Sequence, residues 1–211
     1  MSLLSVKRKN EVIDTLIKEY PQAKCALDHE SVFQLLIATV LSAQTTDASV
    51  NKVTPALFKK APDAKRLARL SYDDAAQYIH SIGMYRQKAK HIVDLSKILN
   101  EKYDGDVPQD FDALTSLPGV GRKTANVVLS VGFGEAHIAV DTHVQRLSNR
   151  IGLTETDNVL DTERALMKAL PESKWTAAHH ALIFHGRNVC NARNPKCEKC
   201  CIENMCKKNS L

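Results

Sequence analysis

The cysteine-rich end of the chain restricts the fold more than any other part of the sequence. Residues 190–206 read CNARNPKCEKCCIENMC, which has little hydrophobic periodicity and too few apolar side chains to form a core unaided. Four cysteines there follow a C-x6-C-x2-C-x5-C spacing: Cys190, Cys197, Cys200 and Cys206. Four thiolates in one loop can surround a single metal centre. The spacing therefore predicts that a bound metal holds this segment together.

The residues alone leave the kind of metal open between iron–sulfur and zinc. Structural zinc sites usually pair two C-x2-C knuckles or mix cysteine with histidine, and this loop has one such pair. Bacterial ferredoxin spacing is tighter and ends in Cys-Pro, so it does not match. Cys201 could compete with Cys200 as a ligand. Cys25 stands far from the others in the sequence and is most simply a small buried side chain.

The rest of the chain has helical periodicity. No segment shows the sustained alternation of apolar and polar residues that a strand requires. Helices are predicted over residues 11–20, 31–43, 47–60, 63–69, 73–80, 86–103, 122–131, 142–150, 161–168 and 174–187. The sequence therefore predicts an all-α fold, and no Gly-, Ser- or Pro-rich linker divides it.

Composition narrows the class of protein. Hydrophobic residues make up 44% of the chain and charged residues 25%, as in ordinary soluble globular proteins. The start, MSLLSVKRKNEVIDTL, contains no secretion signal, and the longest apolar stretch, VFQLLIATVL, is too short to span a bilayer. We therefore expect a cytoplasmic protein with no membrane partner. Its six cysteines are not expected to form disulfides, and metal or redox chemistry is the better explanation for the cysteine-rich segment.

Positive charge is concentrated around the cysteines. The net charge of +5 is compatible with nucleic-acid binding without establishing it. The cations near the cysteines are Arg187, Arg193, Lys196, Lys199, Lys207 and Lys208, against two acidic residues, Glu198 and Glu203. A phosphate-binding surface and a merely solvated basic face are equally good interpretations of this charge.

The stretch LPGVGRKTANVVLSVGF, residues 117–133, places two glycines before a predicted helix. Such turns commonly bind phosphate, because free backbone N–H groups and the positive end of the helix dipole point the same way. A nucleotide-binding P-loop needs Gly immediately before Lys and a preceding strand. Here Arg122 precedes Lys123, and the upstream residues DFDALTS resemble a short helix. An exposed helix start with two solvated cations is the alternative.

Asp141, in the stretch VDTH, directly precedes the predicted helix 142–150. Aspartate is among the best N-cap residues, so a cap is its simplest role. A second role is compatible with the first, because a carboxylate held rigidly in a cap can also stabilise positive charge that develops on a nearby sugar.

Three motifs occur here in one order: LPGVGRKTANVV, then IAVDTHVQRLSNR, then the four-cysteine spacing. Together they closely resemble bacterial endonuclease III, a family of helix-hairpin-helix enzymes that are both DNA glycosylases and AP lyases. The likeness covers almost the whole chain, including LLIATVLSAQTTDASVNK and IHSIGMYRQKA in the first half. The resemblance implies excision of oxidised pyrimidines from duplex DNA through a lysine Schiff base, followed by β-elimination.

The resemblance also implies an architecture and a cofactor. Two helical domains would flank a cleft: a six-helix domain with the helix-hairpin-helix motif at residues 25–135, and a discontinuous cluster domain at 1–24 and 136–211. The four cysteines named above would hold a [4Fe-4S] cluster. The partner would be damaged double-stranded DNA, bound by a monomer in association with the nucleoid.

Site residues follow by position in the family motifs. Lys123 would be the catalytic lysine and Asp141 the catalytic aspartate, facing each other across the domain junction. A nucleophilic amine must be neutral, and a helix N-terminus, a neighbouring cation and burial all lower the pKa of a lysine. The hairpin residues would rest backbone N–H groups on a DNA phosphate: Leu117, Gly119, Val120, Gly121 and Arg122. Arg193 and Lys196 would contact further phosphates.

Flipping a nucleotide out of the stack leaves a gap that side chains fill. Gln44 matches the family residue that replaces the lost base, and Met84 falls at the wedge position, where leucine is more usual. A polar residue ending a helix is the alternative for Gln44, and a core methionine is the alternative for Met84. The resemblance further suggests that the base pocket is lined by Ser42, Asp47 and His143.

Two other functions are compatible with parts of the pattern. Related adenine glycosylases share the cluster and the hairpin, but they lack the lysine and carry an additional C-terminal domain. Lys123 and the end of the sequence at Leu211 argue against that class. A non-catalytic DNA-binding module with a structural metal is the second alternative, although every catalytic position is filled here.

Overall fold

The structure is a computed structural model in which residues 3–209 are described. The outer limits of the predicted domains, at residues 1 and 211, lie outside this range. Residues 3–209 contain helices and no strand, which confirms the all-α prediction. The α-helices are α1 (Val6–Glu19), α2 (Val32–Leu41), α3 (Asp47–Lys60), α4 (Ala64–Leu67), α5 (Tyr72–Ile79), α6 (Tyr85–Tyr103), α7 (Phe111–Thr115), α8 (Arg122–Val127), α9 (Thr142–Ile151), α10 (Val159–Ala169) and α11 (Trp175–Asn188).

Side-chain caps fix where most of these helices begin. The residue before the helix accepts a hydrogen bond from an amide in the first turn, which satisfies an otherwise unpaired donor. Such caps are Ser5, Ser31, Thr46, Asp63, Ser71, Asp110 and Asn158. The cap at Ser5 explains why α1 begins five residues before the predicted start at residue 11. The helix predicted over 122–131 changes at Val127 into a π-helical segment, Val128–Gly132.

The described chain forms two compact units. One comprises residues 26–135, and the other comprises the chain up to Cys25 together with the chain from Ala136 onward. The core of the 26–135 unit is built around α2, in which every residue from Phe33 to Leu41 is buried. Burial on all faces is what the uniformly apolar sequence of this helix predicts.

The second unit joins the two ends of the chain. Its helix α1 packs against α11 and α10, and buries Val12, Ile13 and Leu16 completely. Ile202, from the cysteine-rich segment, is also buried in this core. No helix within residues 3–209 is both long and apolar enough to cross a membrane.

Candidate functional site

The turn between α7 and α8 is shaped by one glycine. The Val120 amide donates to the Leu117 carbonyl at 3.1 Å, and Gly119 lies inside this turn with a φ of 77°. Side chains rarely adopt that conformation. A Cβ on Gly119 would also stand 2.9 Å from Nδ1 of His91 on α6. Gly119 is therefore required both for its backbone conformation and for the close approach of α6.

The amides of this turn divide into two groups. The amide of Leu117 donates to the Leu114 carbonyl and that of Val120 to the Leu117 carbonyl, while both side chains are buried. These two residues therefore shape the turn from inside. The amides of Gly119 and Gly121 have no acceptor within residues 3–209. Of the predicted hairpin donors, the amides of Leu117 and Val120 are therefore already used within the turn, and those of Gly119 and Gly121 can donate to a phosphate.

Arg122 and Lys123 begin α8, and both side chains are exposed. The Arg122 guanidinium lies 4.7 Å above the centre of the Phe111 ring, which is cation–π distance, so it braces α8 against α7. Lys123 stands one residue further into the helix. The burial expected for a catalytic lysine is wrong for Lys123, because its side chain reaches solvent.

Gln44 lies in the turn between α2 and α3 and is exposed. The helix ends at Leu41 with Ser42 as its C-cap, so Gln44 does not end a helix, and that alternative is wrong. Its φ of 52° is left-handed, which is uncommon for a residue other than glycine. Ser42 donates its hydroxyl to the Thr39 carbonyl at 2.8 Å, and Asp47 is the first residue of α3.

Met84 occupies the N-cap position of α6 and is 55% exposed. The alternative of a core methionine is therefore wrong. Its φ of 55° is again left-handed, and it offers the helix no side-chain cap. Strained backbone persists where the surrounding structure imposes it, and such residues cluster at functional sites. Gln44 and Met84, the residues predicted to fill the gap in DNA, share left-handed backbone with two other non-glycine residues of the described chain, Asp104 and Lys208.

Asp141 is the N-cap of α9, as predicted. Its Oδ1 accepts hydrogen bonds from the amides of His143 and Val144, both at 2.9 Å, and the side chain is half-buried. The carboxylate is thus fixed by two donors and sits at the positive end of the helix dipole. His143 is half-buried beside it, and its Nδ1 lies 3.2 Å from the Arg146 guanidinium.

The four predicted metal ligands line one cavity: Cys190, Cys197, Cys200 and Cys206. Cys201 is not among the residues that line this cavity, although it packs against the hydrophobic core as Cys190, Cys200 and Cys206 do. No three His, Cys, Asp or Glu side chains of residues 3–209 are arranged to hold a single metal ion. A [4Fe-4S] cluster is compatible with wider spacing, because each thiolate binds a different iron atom. The donor set and the shared cavity therefore fit a cluster.

A hydrogen-bonded chain leads from α1 to this cavity. The Tyr20 hydroxyl lies 2.8 Å from Nδ1 of His185, whose Nε2 lies 3.5 Å from the Cys200 sulfur. Burial lowers the pKa of His185 to about 4, raises the pKa of Tyr20 to about 12 and raises the pKa of the Cys200 thiol to about 11. A Tyr20 hydroxyl that donates to Nδ1 leaves the imidazole hydrogen on Nε2, directed at the sulfur.

Basic residues of the cysteine segment are exposed. Arg193 and Lys196 both reach solvent, and Nζ of Lys196 lies 3.3 Å from the Asn188 carbonyl. Arg150 holds the loop that follows α11. Its guanidinium donates hydrogen bonds to the carbonyls of Asn191 and Ala192, at 2.9 and 3.2 Å.

Sequence reasoning missed several residues near these sites. His185 and Tyr20 carry no motif, and their relation to Cys200 depends on the packing of α1 against α11. Lys88 is a charged residue that the structure buries on α6. Its burial could have been predicted from the sequence, because Lys88 lies four residues before Ile92 and therefore on the same apolar face of α6.

Comparison with known proteins agrees with these features. Residues 37–172 match the HhH-GPD superfamily of base excision DNA repair proteins. The chain is 46% identical over 206 residues to endonuclease III of Bacillus subtilis, covering 97% of this chain and 94% of that protein. It is 44% identical over 199 residues to endonuclease III of Escherichia coli strain K12, covering 94% of both chains. The chain belongs to the endonuclease III family.

Solved structures of endonuclease III share its fold. A trapped endonuclease III–DNA covalent intermediate matches with a TM-score of 0.93 and 47% identity, over 98% of this chain and 97% of that one. A non-covalent endonuclease III–DNA complex also matches with a TM-score of 0.93, at 46% identity and the same coverage. The chain is therefore a base excision repair enzyme, a DNA glycosylase and AP lyase that binds DNA. The adenine-type and non-catalytic alternatives are not favoured.

Proposed function

We propose that this enzyme excises oxidised pyrimidines from damaged double-stranded DNA, acting as a monomer with Lys123 as its nucleophile. The observation that carries the proposal is the position of Lys123, exposed in the first turn of α8 and two residues after Gly121. The amides of Gly119 and Gly121 offer donors for a DNA phosphate, which would fix the backbone beside the amine. The trapped covalent intermediate of a related endonuclease III supports a covalent route.

The proposed reaction has two stages. The neutral Lys123 amine attacks C1′ of the deoxyribose, and the damaged base leaves with the electron pair of the glycosidic bond and takes up a proton. Opening of the sugar ring converts the adduct into a protonated Schiff base. The iminium acidifies the C2′ hydrogen, so a base can remove it while the C3′–O bond breaks by β-elimination. Water then hydrolyses the Schiff base and returns the free amine.

Asp141 is proposed to supply the negative charge for base departure. Positive charge develops on the sugar as the glycosidic bond breaks, and a fixed carboxylate lowers the energy of that state without needing to reorganise. The two amide hydrogen bonds to Oδ1 supply this fixation.

Gln44 and Met84 are proposed to fill the gap left by the flipped nucleotide. Both are exposed on short turns with left-handed backbone, and both sit in the 26–135 unit. Amide and thioether side chains suit the two parts of the task, since one can pair with the orphaned base and the other can wedge between stacked bases. Ser42, Asp47 and His143 are proposed to line the base pocket.

The cysteine cavity is proposed to hold a [4Fe-4S] cluster on Cys190, Cys197, Cys200 and Cys206. When bound, the cluster supplies four coordinate bonds that cross-link a segment with few apolar anchors. The cavity shared by the four side chains supports this ligand set over one that includes Cys201. Arg193 and Lys196 would then present charge to DNA phosphates from the ordered loop.

Borohydride trapping on abasic DNA tests the proposal. Wild-type protein should become covalently attached to the DNA, and Lys123→Ala should give no trapped product while still binding lesion DNA in fluorescence anisotropy. Lys102→Ala is the matched control, because it removes an exposed lysine from α6 in the same unit. Trapping that survives in Lys123→Ala would assign the nucleophile to another residue. Release of damaged bases by the wild-type protein then tests the substrate class.

A further inference from the structure

Lys88 is a buried cation in the 26–135 unit. It lies on α6 and is 3% exposed. Its Nζ donates to the Thr45 hydroxyl at 2.6 Å, the one hydrogen bond that its ammonium makes within residues 3–209. An ammonium has three N–H donors and is costly to remove from water, and burial accordingly lowers the pKa of Lys88. Core packing alone gives no reason for a lysine at this position.

The partner of Lys88 lies beside Gln44. The Thr45 hydroxyl accepts from Lys88 and in turn lies 3.5 Å from the Ala43 carbonyl, to which it donates. The Thr45 amide donates to the Ser42 carbonyl at 3.0 Å. The residues on both sides of Gln44 are therefore connected to Lys88. These hydrogen bonds hold the turn together on both sides of Gln44, whose backbone is left-handed.

The main chain of Lys88 supports Met84 at the same time. The Lys88 amide donates to the Met84 carbonyl at 3.0 Å, which closes the first turn of α6. Met84 is the second left-handed residue of this region and has no side-chain cap of its own. One residue thus contacts, through its side chain and its main chain, both turns that carry the proposed gap-filling residues.

We propose that Lys88 is a positioning residue that holds the Gln44 turn against the first turn of α6, so that Gln44 and Met84 enter DNA as one preorganised unit. This inference rests on the proposed roles of Gln44 and Met84. Preorganisation matters most where the base pair is intact, because unpairing then costs free energy that a missing base does not require. Lys88 itself touches neither substrate nor the reacting atoms.

The substitution Lys88→Met separates positioning from stability. Methionine is a flexible unbranched side chain that can follow the same path, and it removes the buried charge. The Thr45 hydroxyl keeps the Ala43 carbonyl as an acceptor. Replacing a buried charge with a well-packed apolar group is often neutral or stabilising. If Lys88 had a structural role only, the substitution would change at most the melting temperature and would leave the rates on both substrates unchanged.

The expected result differs between two substrates. In single-turnover kinetics, Lys88→Met should excise an oxidised pyrimidine from a fully paired duplex about tenfold more slowly, the size expected for one hydrogen bond to a charged group. Cleavage at a preformed abasic site should fall by less than about twofold, and the melting temperature should not decrease. Thr45→Val should resemble Lys88→Met in rate, and Thr45→Ser, which keeps the hydroxyl, should lose less than Thr45→Val.

Ser96→Ala is the matched control. Ser96 is buried on the same helix, and its hydroxyl donates to the Ile92 carbonyl at 2.7 Å, so its loss removes a buried hydrogen bond without touching either turn. Equal losses on both substrates in Lys88→Met, or a fall in melting temperature with the rates otherwise unchanged, would overturn the positioning role. Wild-type rates on the paired lesion would do the same.

A double-mutant cycle distinguishes this inference from the proposed function. If Lys88 acts through Gln44, the variant Gln44→Ala/Lys88→Met should lose no more on the paired lesion than Gln44→Ala alone. Additive losses would overturn the inference and leave the role of Gln44 intact. Wild-type activity of Gln44→Ala on the paired lesion would overturn the gap-filling role and the inference with it.

Discussion

The hairpin turn and the cysteine segment are both short of regular structure, but different forces hold them. Leu117 and Val120 anchor the hairpin in the core, and their amides close it internally. The cysteine segment buries one large apolar side chain, Ile202, while its four predicted ligands line a cavity. The hairpin is thus anchored by two buried side chains, whereas the segment has one such anchor, Ile202, beside the cavity in which we propose that the cysteines hold a cluster.

The largest effect is expected when a proposed cluster ligand is removed, because the cysteine segment should then lose its structure while the hairpin keeps its own. We expect purified protein to be brown, with iron and sulfide matching one [4Fe-4S] cluster per chain, and Cys200→Ser to lose the cluster altogether. Hydrogen exchange should then show lost protection around residues 190–206, while the 26–135 unit keeps its protection. Zinc without iron in anaerobically prepared protein would contradict the cluster.

The matched control for that experiment is the neighbouring cysteine. Cys201 does not line the cavity, so Cys201→Ser should keep its iron. If Cys201→Ser lost the cluster and Cys200→Ser kept it, the assignment of the third ligand would be reversed.

Asp141 lies in the same unit as the cysteine segment. The substitution Asp141→Asn tests whether activity can be lost there without a change in the stability of the fold. Asparagine caps a helix as well as aspartate, so the melting temperature should barely change. Loss of a preorganised charge should slow base excision by about a hundredfold to a thousandfold, or about 3–4 kcal/mol. Cleavage of an abasic site, where the glycosidic bond is already broken, should suffer less in single-turnover kinetics. Normal excision with a lowered melting point would make Asp141 a helix cap only.

The substitution Gly119→Ala should destabilise the hairpin turn. The left-handed φ and the 2.9 Å approach to His91 should together lower stability by about 2 kcal/mol, which corresponds to about 4–8 °C in melting temperature for a chain of this size. Gly121→Ala is the control, because φ there is −96° and no atom lies within 4 Å of the added Cβ. Similar melting temperatures for both variants would show that the turn tolerates rearrangement.

The smallest effect is expected for the exposed cations of the cysteine segment. Replacing Arg193 and Lys196 with alanine should weaken binding on any DNA sequence and reduce the slope of log K against log salt by about two units, at about 0.9 per lost phosphate contact. Arg164→Ala/Lys168→Ala removes the same charge from exposed positions on α10 and is the control. Identical slopes for both pairs would restore the interpretation of a solvated basic face.

Hydrophobic periodicity was enough to predict the helices, because each apolar face follows directly from spacing along the chain. The uniformly apolar α2 was correctly expected to be buried on every face. Asp141 as an N-cap was equally local information, since both hydrogen bonds come from the next three residues. The ends of helices were less certain, as the early start of α1 at its Ser5 cap shows.

Features that depend on packing between distant segments could not be predicted. The left-handed backbone of Met84 and Gln44 has no glycine to signal it. The hydrogen bond from Lys88 to Thr45, the residue after Gln44, joins positions 43 residues apart in the sequence. The exposure of Lys123 was missed for a related reason. Its pattern indicated a reactive amine, but how much of α8 is covered depends on the helices around it.

The joining of the two chain ends in one unit sets an order of events during synthesis. Helix α1 buries Val12, Ile13 and Leu16 against partners that include α11, which begins at Trp175. At the usual pace of translation, roughly 8–30 s separate the synthesis of α1 from that of α11. The last residue of the 26–135 unit is made 40 residues before Trp175, or roughly 2–8 s earlier. Helix α1 therefore completes its packing only after α11 has been made, and its apolar face stays open to chaperones in the interval.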